Sequence, residues 1–185
     1  MSLPTADSES FGVLPCALAD QAAALFTHRK LLCAEAILVA VNAAFGAPLT
    51  EAQAIGVAAG LTAGLGERGC LCGAVAGACA AVGIVCAHGE QAAQRTAIRQ
   101  ESAAIHEAFT ARHKSACCRV LTKAVKDDAA AHMAQCADLT GFGAALAVRS
   151  ILRLRPELAD TPDAALRTES CLCSRIKWLL SFMCR

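Results

Sequence analysis

Residues 66–89 read GERGCLCGAVAGACAAVGIVCAHG, and the fold turns on how this stretch is read. Between Arg68 and His88 it carries no charge, and four cysteines sit among small residues. An uncharged run of this length can cross a bilayer. It equally suits a tightly packed buried helix, or a helix that brings thiolates to a metal or redox centre.

The rest of the chain favours a helical reading. Its 185 residues fit one domain, with room for an appended helix, and are long enough to bury a real core. Hydrophobic residues make up 56% of the chain but aromatics only 4%, so alanine, the best helix former, supplies much of the apolar total. Long alternating β-branched runs are missing, which leaves strands without support. The expectation is an all-α, compact helical bundle with an appended C-terminal helix.

Signals for individual helices follow along the chain. Residues 16–45 read as one long helix or two short ones with a polar break at THRK, 27–30. Gly46 and Pro48 close that element, and Thr50 with Gln53 forms a capping box for the next. That helix should fade in GLTAGLGERG, 60–69, where four glycines cluster. A helix is then expected from near Gly69 to about Ala87, followed by a more solvated one over 90–111. Ser115 is a candidate cap for 116–125. Asp127 and Asp128 open a helix over 129–154, which Pro156 stops. Thr161, Pro162 and Asp163 signal the start of a terminal helix, and 155–162 reads as the linker.

Within the opening stretch, the span is disfavoured by a composition of mostly Gly, Ala and Cys, without aromatic anchors, and by charged flanking helices. Gly69, Gly73 and Gly77 fall four apart, a spacing that lets helices approach closely. Cys72, Cys79 and Cys86 recur every seven residues and so share one helical stripe; a core seam of small residues explains Cys79 and Cys86 equally well. Cys72 differs, because it follows a glycine-rich loop in a first helical turn, where free amides and the helix dipole favour thiolate. Gly64, Gly66 and Gly69 make a formal GxGxxG, but a dinucleotide fingerprint needs a preceding strand, and AIGVAAGLTA looks helical.

The order of cysteine motifs resembles the family of redox-active proteins named for the pattern C-GCAxxG-C-C. Cys33 begins CAEAILVA, similar to the family's first cysteine and its apolar helix. Cys72 begins CGAVAGA, which carries the central CGAxxG. Cys118 begins CRVL, and Cys136 in QCADLTGFGAALA stands fourth. The resemblance covers about 30–154 and implies redox work for a centre of Cys33, Cys72, Cys118 and Cys136, with Cys70 and Cys117 as secondary candidates beside motif positions. On this reading residues 1–155 form a cysteine-rich redox domain, and 156–185 a linker with a C-terminal amphipathic helix. Roles for Cys79, Cys86, Cys171, Cys173 and Cys184 stay open.

Four thiolates can hold an iron–sulfur cluster or a tetrahedral zinc. Zinc does not change oxidation state, so the redox resemblance favours an iron–sulfur cluster and electron transfer, with a redox partner protein. Two alternatives are a Cu(I) or soft-metal storage bundle, since soft thiolates select Cu(I), and a thiol–disulfide oxidoreductase, which needs an accessible cysteine of low pKa. No CxxC pair occurs, which removes zinc-finger spacing and covalent haem attachment. His132 lies four residues before Cys136 and His106 seven before His113; both pairs read as solvated surface histidines. With a net charge of +1 and no basic cluster interleaved with aromatics, nucleic acid is excluded as a partner. The first 20 residues lack a basic and apolar leader. Together with 12 cysteines, this points to a reducing, cytoplasmic setting, where such residues serve as ligands or redox groups. Whether the chain is an enzyme, and whether it forms a homodimer, the sequence leaves open.

Overall fold

A computed structural model describes residues 13–161 apart from 29, 30 and 91. Helix α1, Val13–Thr27, places Leu14, Leu18, Ala22 and Phe26 on one buried ridge at four-residue spacing. The polar break does split the region, and α2 runs over Cys33–Ala44. The Glu35 carboxylate accepts the Leu32 N–H at 2.8 Å, closing the start of α2. The capping box at Thr50 is present: its Oγ1 accepts from Gln53 N–H at 3.3 Å and α3 follows over Glu51–Ala59. After a short turn, α4 at Thr62–Leu65, come α5 (Gly73–Cys86), α6 (Arg95–His113), α7 (Cys118–Leu121) and α8 (Ala129–Leu154). Asp128 caps α8, accepting from the Ala130 and Ala131 amides, each at 3.0 Å. Pro156 ends it in a 3-10 turn, Pro156–Asp160.

The described residues are all-α, a helical bundle with one isolated bridge, Leu71 to Cys117, and no strand. Helix α5 lies at its centre, packed on both α2 and α8, while α1 packs along α8. No described helix is long and apolar enough to cross a membrane; the uncharged stretch is a buried core helix. The expected helix beginning at 163 lies outside the described residues.

Several boundaries differ from expectation: α1 starts at Val13 where 16 was expected, α6 runs over Arg95–His113 where 90–111 was expected, and α5 and α7 are both altered by backbone pairing. Helix α5 begins at Gly73, not near Gly69, because Gly69 has φ +67° and residues 70–72 are drawn into backbone pairing with the segment before α7. Cys72 N–H donates to Ala116 O at 2.7 Å, and Cys118 N–H to Cys70 O at 2.6 Å. For the same reason α7 is a single turn that starts at Cys118. Ser115 does not cap it; its Oγ accepts from Cys117 N–H at 3.0 Å within a turn.

Small residues allow the central packing. A Cβ on Gly77 would lie 2.7 Å from Ala34 Cα, and one on Gly143 would lie 2.6 Å from Ala74 O. A Cβ on Gly141 would approach Ala19 O to 3.1 Å, so α8 meets α1 and α5 through different glycines. Gly69, by contrast, stands outside the helix–helix contact. The three-glycine spacing of the sequence is therefore a two-glycine contact, Gly73 and Gly77, made with α2.

These contacts predict a sharp contrast within one helix. Gly77→Ala and Gly143→Ala should each lower stability by about 2 kcal/mol or more, since backbone atoms must shift. Gly83→Ala, where nothing lies within 4 Å, should be neutral or stabilising by up to about 1 kcal/mol through helix propensity. Guanidinium unfolding midpoints measure both, and equal effects at Gly77 and Gly83 would refute the close approach.

Candidate functional site

The glycine loop between α3 and α5 builds one wall of the site. Residues 63–67 all have positive φ, with Ala63, Leu65 and Glu67 joining Gly64 and Gly66. A left-handed turn costs a non-glycine residue roughly 1–2 kcal/mol, so a run of this kind has to be held by its surroundings. Gly69 N–H reaches Ala63 O at 3.3 Å, and Cys70 N–H reaches Gly64 O at 3.0 Å, closing the loop on itself. A Cβ on Gly64 would stand 2.7 Å from Gly69 Cα. The loop thereby presents the Ala63 amide to the Cys33 sulfur as a hydrogen-bond donor.

Cys33 is the first residue of α2, and its sulfur lies where a side chain on Gly73 would otherwise stand. Cys72 occupies the N-cap position of α5, its carbonyl accepting from Val75 and Ala76 N–H at 3.0 Å each. Cys118 opens α7, tied through its amide to Cys70 O. Cys136 lies inside α8 among Phe26, Ala36, Ala137, Met133 and Cys33. All four line one cavity of about 880 Å³. These four thiols are joined by no disulfide.

Burial raises the pKa of every one of them. Cys72 and Cys136 are pushed up to about 12 by desolvation, reinforced by neighbouring cysteines. Burial also pushes Cys33 and Cys118 up, in Cys33 against the Ala63 and Ala34 amides, which favour its thiolate. Helix-start positions therefore do not leave Cys72 acidic: dehydration outweighs the amides.

The remaining described cysteines fall elsewhere. Cys86 is fully buried in the core, and Cys79 Sγ lies 3.8 Å from Ser102 O, toward α6. Cys70 is exposed, while the Cys117 thiol donates to Gly69 O at 3.3 Å; neither lines the cavity. The expected surface role of two histidines is also revised. His132 lines the cavity one turn before Cys136, because that face of α8 turns toward α2. His113 packs on Phe109 and Phe142 at ring separations of 4.8 and 5.2 Å. Arg68, which no motif singled out, and Arg119, the second residue of CRVL, line the cavity as well.

Residues 31–150 match the family model described as "Putative redox-active protein (C_GCAxxG_C_C)". The chain belongs to this family. The match spans all four motif cysteines, and the glycines of CGAxxG, Gly73 and Gly77, are the two that contact α2. No curated protein and no solved structure matches the chain.

The raised thiols predict a pH dependence. Above the ordinary value of 9.0 the unfolded chain loses protons that folded Cys72 and Cys136 keep until about 12. Stability of the reduced, metal-free chain should be insensitive to these groups below that range and fall as pH rises through it. Urea midpoints measured upward from neutral pH should decline less steeply in a Cys72→Ala/Cys136→Ala double variant; parallel curves would contradict the burial of these thiols.

Proposed function

We propose that the chain is an electron-transfer protein whose redox centre is held by Cys33, Cys72, Cys118 and Cys136, with an iron–sulfur cluster as the bound group. The supporting observation is that four cysteines from four separate elements line one cavity, in a member of a redox-active family. Their chemistry suits a metal centre. The thiolates of Cys33 and Cys72 are favoured by backbone amides, and a metal would supply the positive charge that four buried sulfurs call for.

Zinc remains the simpler alternative, but it draws four sulfurs to about 2.3 Å from one ion, hence about 3.8 Å from each other. Among the described residues no three His, Cys, Asp or Glu side chains are disposed to hold a metal ion. What favours a cluster over zinc is membership of a redox-active family, since zinc does not change oxidation state. Bound there, the cluster would supply one-electron chemistry at a potential tuned by burial and by hydrogen bonds to sulfur. The Ala63 and Ala34 amides on Cys33, and the Ala74 amide on Cys72, provide those hydrogen bonds. Phe26 and Leu139 help keep water from the sulfurs. A redox partner would meet the cavity's mouth, where Leu32 is exposed.

The two other readings draw less support. Copper storage calls for many sulfurs along one channel, whereas Cys79 and Cys86 do not line the cavity. A thiol–disulfide enzyme calls for a lowered pKa, and all four are raised.

Protein purified without oxygen should carry iron and acid-labile sulfide at about one cluster per chain, with a paramagnetic signal on reduction or oxidation. Serine in place of any of the four should lower iron content or alter that signal, whereas Cys79→Ser should do neither. A colourless, iron-free chain after cluster reconstitution would sink the proposal, and many Cu(I) per chain would favour storage.

A further inference from the structure

The cavity is larger than the sulfurs alone explain. Its 880 Å³ falls within the roughly 300–1,000 Å³ of organic-ligand sites, and the four cysteines are only four of its 21 lining residues. Its lining is divided in chemistry. Phe26, Leu31, Met133 and Leu139 make an apolar wall, and Arg68 and Arg119 bring two guanidinium groups to the same space.

The position of Arg119 is built into the loop. Gly69 has φ +67°, and the place its Cβ would take is 3.1 Å from Arg119 Cβ and 3.3 Å from Arg119 Nε. The bare glycine lets the arginine lie across the loop, where its Nη2 donates to Arg68 O at 3.1 Å. Among the described residues neither Arg68 nor Arg119 is ion-paired with a carboxylate. Glu35 and Glu67 also reach the cavity. Glu35 is committed to the Leu32 amide at the start of α2; Glu67 and both arginines are exposed, at the cavity's mouth, and Glu67 pairs with neither arginine. Two arginines on one rim recognise a planar oxyanion better than any other common group.

We propose that this cavity binds a small organic anion, its apolar body against Phe26, Leu31, Met133 and Leu139 and its carboxylate or comparable oxyanion head at Arg68 and Arg119. This deepens the redox reading by naming the class of molecule that meets the cysteines. Its test needs no iron, so the two stand or fall separately.

Octanoate, octanol and octylamine share a chain and differ in the head group. Titrated calorimetrically into the full-length reduced protein, octanoate should bind at least about tenfold more tightly than octylamine, with octanol between them. Arg68→Gln/Arg119→Gln should remove that preference and leave octanol binding unchanged. Arg68→Lys/Arg119→Lys keeps the charge, and should retain part of the preference with an unaltered melting temperature. Met133→Gln, on the apolar wall, adds polarity without charge and should weaken all three. Octylamine binding as tightly as octanoate, a preference that survives the double glutamine variant, or no octanoate binding at millimolar concentration would each overturn the proposal.

Discussion

The structure depends on one constraint: α5 must approach α2 and α8 at backbone distance on both of its sides. Gly77 against Ala34, and Ala74 against Gly143, leave no room for a Cβ at either glycine. Close approach gains dispersion contacts along the whole helix, which matters where nearly half of the described core residues are alanine and few are aromatic. It also sets the site. Gly73, one turn before Gly77, leaves the space that the Cys33 sulfur occupies, so the glycine that permits packing also admits the first cysteine to the cavity. Cys72 then follows from the start of the same helix, and Cys136 from α8 on the other side.

The remaining wall comes from a segment with unfavourable local conformation. Residues 63–67 hold positive φ through three non-glycine positions, and the loop is retained by its own backbone hydrogen bonds and by pairing of Gly69 and Cys70 with Cys118 and Arg119. Backbone strain of this kind tends to gather where geometry serves a site. Here it delivers an amide to Cys33 and lays Arg119 over Gly69. The same pairing carries Cys118 to the cavity, although its helix is one turn long.

Electrostatics and packing pull against each other at the four sulfurs. Helix starts and backbone amides favour thiolate, as the position of Cys72 suggests from sequence. Burial opposes them more strongly and keeps the metal-free thiols protonated. A site of this kind is poorly suited to a free nucleophile; on the proposed reading, the charge of a bound metal centre would offset the dehydration.

Much of this was legible in the chain itself. Alanine content, the Thr50 and Asp128 caps and the polar break after α1 determine an all-α order, because those signals act over a few residues. The ordered motif of Cys33, Cys72, Cys118 and Cys136 determines the family for the same reason: each piece is a local pattern. Tertiary structure decided the rest. The left-handed run, the late start of α5 and the single turn of α7 arise from pairing between residues 69–72 and 116–119, which no local propensity records. The raised pKa values, the place of His132, and the pair Arg68 and Arg119 likewise depend on which segments share a wall. Burial and proximity are properties of the assembled chain, so they emerge only once α2, α5 and α8 have closed on one another.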